Sequence, residues 1–270
     1  MLDIKNISVT FSPGLPNELK ALRCVTLQIP EGSFAIVIGT NGSGKSTLLN
    51  AIAGVFPVDE GCIRLGGTDL TRRPEHWRAL RIGRVFQNPF SGTAPNMTVA
   101  ENLALAAQRG RARGLGLALN RQTRNLIRNR LENLKMGLEN RLDTPIGSLS
   151  GGQRQAITLL MATWNKPSLL LLDEHTAALD PQSAAQIVQL TNEIVQHNQI
   201  TTLMVSHSMA QVAAFGSRVV MMHQGEIIHD VSGPSKQRLR AEDLLAIFEE
   251  VRRGDQLDPS AAELLRQRYV

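Results

Sequence analysis

Phe34-Ala35-Ile36-Val37-Ile38-Gly39-Thr40-Asn41-Gly42-Ser43-Gly44-Lys45-Ser46-Thr47-Leu48-Leu49-Asn50-Ala51-Ile52-Ala53 is the stretch that decides the fold. Residues 34–38 form an unbroken apolar run, the pattern of a strand buried on both faces of a parallel sheet. The run ends in a glycine-rich turn, and residues 45–53 read as a helix. Gly39 to Ser46 matches GxxxxGK[ST] between that strand and that helix, the context that marks a phosphate-binding P-loop. In such a loop Gly39, Thr40, Asn41, Gly42, Ser43 and Gly44 curl backbone N–H groups around phosphates, and the helix beginning at Lys45-Ser46-Thr47 turns its positive end toward the anion. Lys45 is expected to reach the β- and γ-phosphates and Ser46 to hold Mg²⁺ through its hydroxyl.

The flanking sequence extends this into an α/β chain. Ile4 to Phe11 and Val25 to Ile29 alternate as two strands around the turn-rich loop Ser12 to Asn17, giving an N-terminal antiparallel β part. Gly61 to Leu65 and Ile82 to Phe86 read as further strands. From residue 98 to about 160 the pattern is helical, opened by a capping box at Thr98 and Glu101. A Gly/Arg-rich joint over Gly110 to Gly116 precedes a second helix, Arg121 to Lys135. Strand and helix alternation then resumes: Leu169–Leu172, a helix capped by Asp180 with Pro181 at its first position, Thr201–Val205, Met209–Phe215, and a hairpin around Gln224-Gly225. This predicts a mostly parallel core sheet with a helical subdomain inserted at about 88–165. The main domain would cover 1–235 and a short helical tail 236–270, with helices at Ala241–Arg252 and Ala261–Arg268.

Leu169–Leu172 runs into Asp173-Glu174. An aspartate at the end of a buried strand can complete the Mg²⁺ shell, and a carboxylate beside it can orient an attacking water. Together with the P-loop, this is the machinery of a nucleotide hydrolase.

The 270 residues carry 42% apolar and 20% charged residues, enough to bury a core and too apolar for disorder. Apolar runs are far shorter than the ~20 residues of a membrane span, and the N-terminus alternates like a strand, so neither a membrane crossing nor a signal peptide is expected. Cys24 and Cys62 form no ligand pattern and read as reduced thiols. The net charge of +5 is concentrated in residues 88–148, with nine Lys/Arg against four acids. No aromatics are interleaved with the arginines of this stretch, which favours a solvated or membrane-facing surface over nucleic acid.

Leu149-Ser150-Gly151-Gly152-Gln153 could by itself be a helix N-terminus, with Ser150 as N-cap and Gln153 closing a capping box. At this spacing between P-loop and acidic pair, the chain resembles the ATPase subunit of ATP-binding-cassette (ABC) transporters over roughly residues 1–235. The resemblance implies ATP and Mg²⁺ as cofactors and a head-to-tail dimer. Each ATP would lie between the P-loop of one copy and Ser150, Gly151, Gly152 and Gln153 of the other. It implies that Glu174 is the catalytic carboxylate, Gln87 the glutamine touching Mg²⁺ and water, and His207 the switch histidine at the γ-phosphate. Ala178-Leu179-Asp180 matches the loop between subunits. The adenine-stacking aromatic is usually Tyr or Trp; Phe11 stands in that place.

His175 occupies a position where the family often has proline, and reads as a surface residue filling a turn. The local text is similar to a bacterial branch of tryptophan/tyrosine importer ATPases. That implies an integral membrane permease, an extracytoplasmic substrate-binding protein, and a place on the inner face of the cell membrane. A DNA-repair or mechanical ATPase of the same superfamily is the competing reading.

Overall fold

The computed structural model describes residues 1–110, 118–244 and 246–247. The sequence-expected helix Ala261–Arg268 and most of the Gly110 to Gly116 joint lie outside them, as does the second half of Ala241–Arg252.

The chain opens with β1 (Leu2–Phe11) and β2 (Leu19–Ile29), then β3 (Phe34–Gly39) and helix α1 (Lys45–Ala53). β4 (Glu60–Leu65), β5 (Thr68–Asp69), the single-turn α2 (Glu75–Arg78) and β6 (Ile82–Val85) follow. The helical stretch is α3 (Val99–Ala107), α4 (Arg121–Glu132) and α5 (Gly151–Thr163). β7 (Leu169–Asp173), α6 (Pro181–Asn198), β8 (Thr201–Val205) and α7 (Met209–Ala214) precede the hairpin β9 (Arg218–His223) and β10 (Glu226–Ser232); α8 (Gly233–Arg238) follows, and residues 241–244 and 246–247 are again helical. No helix among the described residues is long and apolar enough to cross a membrane.

Two sheets form. β2-β1-β4-β5 is antiparallel, while β10-β9-β3-β8-β7-β6 is parallel except for its edge strand β10. The buried run of residues 34–38 sits inside this second sheet, and its side chains alternate between two cores. Ile36 and Ile38, with Leu170, Leu172 and Met204, join the core shared with α3, α4 and α5. Ala35 and Val37, with Leu169, Leu171, Leu203 and Val205, join the core shared with α1 and the antiparallel sheet. This is why those strands are apolar at every position rather than at every second one. Leu48, Leu49 and Ile52 of α1 are fully buried, each contributing about 2 kcal/mol by leaving water.

The second strand begins six residues before its expected start, at Leu19. Cys24 (φ 48°) and Asn6 (φ 48°) interrupt the β1–β2 ladder at bulges, so the alternation breaks there and the strand reads as short.

β3, β8, β7 and β6 are neighbours in that order. Four loops therefore leave their carboxyl ends side by side, where open α/β sheets hold ligands.

Candidate functional site

The loop after β3 requires glycine at two points. A Cβ on Gly39 would stand 2.2 Å from the Met222 carbonyl oxygen. Gly44 caps α1 at φ +96°, and a Cβ there would meet the Ala21 carbonyl oxygen at 2.5 Å. The hairpin backs the loop as well, through a hydrogen bond from Gly225 N–H to the Ser43 carbonyl. Lys45 is buried within the loop, its Nζ donating to Gly39 O at 3.0 Å, Thr40 O at 2.8 Å and Ser43 Oγ at 3.4 Å. Burial pushes its pKa below the ordinary lysine value, and the negative charges of Glu174 and Asp173 oppose that shift.

Ser46 Oγ donates to Asp173 Oδ1 at 3.4 Å, so hydroxyl and carboxylate share one spot at the end of β7. Burial raises the pKa of Asp173; the Arg84 guanidinium, 3.9 Å away, is the strongest influence lowering it. Paired hard oxygen donors of this kind suit Mg²⁺, which takes one or two protein oxygens and completes its shell with water and phosphate. Among the described residues no cluster of three His, Cys, Asp or Glu forms a protein-only cage. Asn41, Gly42 and Ser46 are exposed on the loop, and Thr47 is partly so.

Glu174 takes the left-handed conformation (φ 44°), uncommon for a residue with a Cβ, and this turns it out of the strand direction. Its carboxylate receives two partners from neighbouring loops: Gln87 Nε2 donates to Oε2 at 3.2 Å, and His207 Nε2 lies 2.5 Å from Oε1. The ends of β6, β7 and β8 thus converge on one carboxylate.

Four supporting residues were not singled out in the sequence. Gln211 accepts from Ser206 Oγ at 3.2 Å and reaches Thr176 Oγ1 at 3.5 Å, bracing both sides of His207 and Glu174. Ser208 caps α7 directly after the histidine. Arg84 and Arg154 are treated below.

Ser150 caps α5, its Oγ accepting from Gln153 N–H at 3.3 Å. The expected capping box stays open, because the Gln153 side chain reaches away to donate to the Met136 carbonyl at 3.4 Å. Ser150 and Gly151 are exposed, whereas Gly152 is buried against Ser183 at the start of α6. Among the described residues no hydrogen bond links this segment to residues 39–46. Its neighbours in the chain are Leu179 and Ser183.

Phe11 ends β1 opposite Leu19, two residues beyond the pair Val9 and Leu22. Leu22 lies against Gly44, and the Phe11 ring stands edge-on to Phe56 at 5.2 Å.

His175 is not a surface residue. It is 2% exposed, with Nε2 3.1 Å from Thr191 Oγ1 of α6, and burial lowers its pKa to about 4. The unfolded chain therefore binds a proton at this residue between about pH 6.5 and 4 while the folded chain does not, so its contribution is intact above pH 6.5 and is lost as pH falls toward 4. Urea titrations from pH 7.5 to 4 are expected to show wild type losing about 3 kcal/mol more than His175→Gln. Parallel pH profiles would contradict a buried neutral imidazole.

A groove of about 1210 Å³ opens on the helical side, lined by Arg84, Phe86, Ser91, Ala106, Arg109 and Met161, among others.

The ABC transporter family profile matches residues 22–177. The chain is 43% identical over 251 residues to the "Tyrosine transport ATP-binding protein" of Clostridioides difficile, covering 92% of this chain and 99% of that one. It is 31% identical over 250 residues to the "Energy-coupling factor transporter ATP-binding protein EcfA" of Pediococcus pentosaceus, covering 92% and 83%. Among solved structures it is similar to the ATP-binding cassette MJ0796 in a dimeric post-hydrolysis state bound to ADP and Pi, with TM-score 0.72, 29% identity, and coverage of 86% and 98%.

Proposed function

Since this chain belongs to the ABC transporter family, whose cassettes hydrolyse ATP to drive transport, we propose that it powers a bacterial importer of an aromatic-amino-acid-like or other small organic solute. The observation that carries the reading is likeness over 92% of the chain to a tyrosine transport ATP-binding protein, in a chain whose loops after β6, β7 and β8 meet at Glu174. A repair or mechanical ATPase finds no support in the relatives described above.

In this proposal the backbone of residues 39–44 cradles the phosphates, Lys45 meets their charge, and Phe11 packs on the adenine. Ser46 and Asp173, joined by Gln87, would hold Mg²⁺, which supplies charge neutralisation on the phosphates. Glu174 orients a water and takes its proton. Gln87 and His207 hold that carboxylate in place, and His207 reads the γ-phosphate. Phosphoryl transfer needs positioning and neutralised charge more than covalent chemistry, and these residues supply both.

A second copy completes the site. Exposed Ser150 and Gly151 at the N-terminus of α5 are unsatisfied by their own P-loop and present a positive helix end. The permease takes the groove beside Arg84 and Phe86, next to Gln87, so that closure of the dimer moves the membrane partner. The protein then works on the cytoplasmic face of the cell membrane, with an extracytoplasmic binding protein delivering solute.

Glu174→Gln protein, held with Mg-ATP and recovered from gently solubilised native membranes, tests this. Recovery of a stoichiometric polytopic membrane protein is expected. Recovery of a soluble dimer alone, or of nucleic acid, would contradict the importer.

A further inference from the structure

Arg84 stands where three parts of the site meet. It leaves β6 beside Val85 and Phe86, and its side chain is only 14% exposed. One Nη2 serves two elements at once: it donates to Asn50 Oδ1 of α1 at 2.6 Å and lies 3.9 Å from Asp173 Oδ2 at the end of β7. The guanidinium plane covers the Phe86 ring at 4.5 Å, which fixes its orientation. Its Nε is buried without a hydrogen-bond partner. A buried donor is rarely left unpaired, because that forfeits its hydration. The guanidinium is therefore held by Asn50, Asp173 and Phe86 at the expense of its remaining N–H.

The consequence is electrostatic. Asp173 is largely shielded from water, its side chain 16% exposed, and the Arg84 guanidinium lies 3.9 Å from its carboxylate. A permanent cation so placed also repels a second cation brought to the same carboxylate, and at this separation inside a protein the repulsion is substantial. Lys45, the other cation of the site, is engaged by three oxygens of its own loop. Arg84 is thus the positive group that faces Asp173 from outside the phosphate-binding loop.

We propose that Arg84 is a positioning residue that acts as the resident counter-ion of Asp173 and sets the affinity of the nucleotide site for its divalent cation. This rests on the reading of Ser46 and Asp173 as the protein's Mg²⁺ donors. Arg84 holds the carboxylate aimed before the cation arrives, and its own positive charge weakens the grip once the cation is there. An arginine suits this better than a lysine, since its planar fork can serve Asn50 and Asp173 while stacking on Phe86.

The probe is Mn²⁺, titrated into protein in excess over a non-hydrolysable ATP analogue, with free Mn²⁺ read by electron paramagnetic resonance. Arg84→Met is expected to bind Mn²⁺ about tenfold more tightly than wild type, and Arg84→Lys, which keeps the charge, to stay within about threefold of it. If Arg84→Met melts before it can be titrated, Arg84→Gln removes the same charge and keeps polar atoms for Asn50. Unchanged or weaker Mn²⁺ binding in the neutral variant that folds would overturn the proposal and leave Arg84 a packing residue. Asp173→Asn separates the two levels. If it binds Mn²⁺ as tightly as wild type, the cation does not use Asp173 and the underlying reading falls as well. If it binds weakly while the Arg84 variants match wild type, only the proposal fails.

Discussion

Glu174→Gln is expected to lower steady-state ATP turnover by about a thousandfold while leaving ATP binding within a few-fold of wild type. The amide is isosteric with the carboxylate, so it keeps the position set by the left-handed backbone at Glu174. It cannot accept a proton from water. The hydrogen bond from Gln87 and the contact with His207 both converge on this one side chain, so no neighbouring carboxylate is placed to replace it. Asp173 is adjacent in sequence but is engaged by Ser46 and Arg84. Phosphate release and equilibrium ATP binding, measured on the same preparation, check the split. Turnover within tenfold of wild type would remove Glu174 from the role of base.

Arg154→Ala is expected to have the largest effect on stability. Arg154 is 6% exposed, and its guanidinium donates to the carbonyls of Gly147 and Leu149, each at 2.9 Å, and of Ile146 at 3.3 Å. It also lies over the Phe90 ring at 3.7 Å. One side chain thus ties the strand of chain entering the Ser150 cap to the segment that follows Gln87. Alanine strips the guanidinium from the Gly147 and Leu149 carbonyls, leaves Ile146 O with the Leu149 N–H alone, and empties the space above Phe90. Charged hydrogen bonds contribute about 1.5–3 kcal/mol each, and unsatisfied buried acceptors cost a similar amount, so a net loss of about 3 kcal/mol is expected. For a domain of this size that is a fall in Tm of about 6–12 °C. Arg154→Lys should recover little of it, because a single ammonium cannot reproduce the fork. A Tm within about 2 °C of wild type in the alanine variant would contradict this account.

The phosphate-binding loop, the acidic pair and the parallel strands were legible in the sequence because each is contiguous. Residues 34–47 and 169–174 carry strand, turn and chemistry in a single run, and the double-sided burial of the strands shows directly as unbroken apolar text. What was not legible depends on approach between distant segments. Arg84 looks like any strand residue until Asn50 and Asp173 are brought beside it. Gln211 gains meaning only because α7 folds back over the loops after β7 and β8. His175 follows two charged residues and reads as surface, yet Thr191 of α6 closes over it. The Gln153 side chain satisfies the capping-box pattern locally but finds the Met136 carbonyl instead.

Edges and bulges account for the misplaced boundaries. β10 extends to Ser232 although only Ile227 and Ile228 look strand-like, because an edge strand exposed to water can carry His229 and Asp230. The early start of β2 is hidden by the bulge at Cys24.

In the proposed mechanism each nucleotide site is half of a site, completed by Ser150 and Gly151 of a second copy. Sedimentation of Glu174→Gln protein with and without Mg-ATP tests it most directly, compared with the Ser150→Arg/Glu174→Gln double variant. An ATP-dependent dimer is expected for the first and a monomer for the second, with both binding ATP. A double variant that still dimerises with ATP, or a single variant that stays monomeric while saturated with it, would contradict the claim.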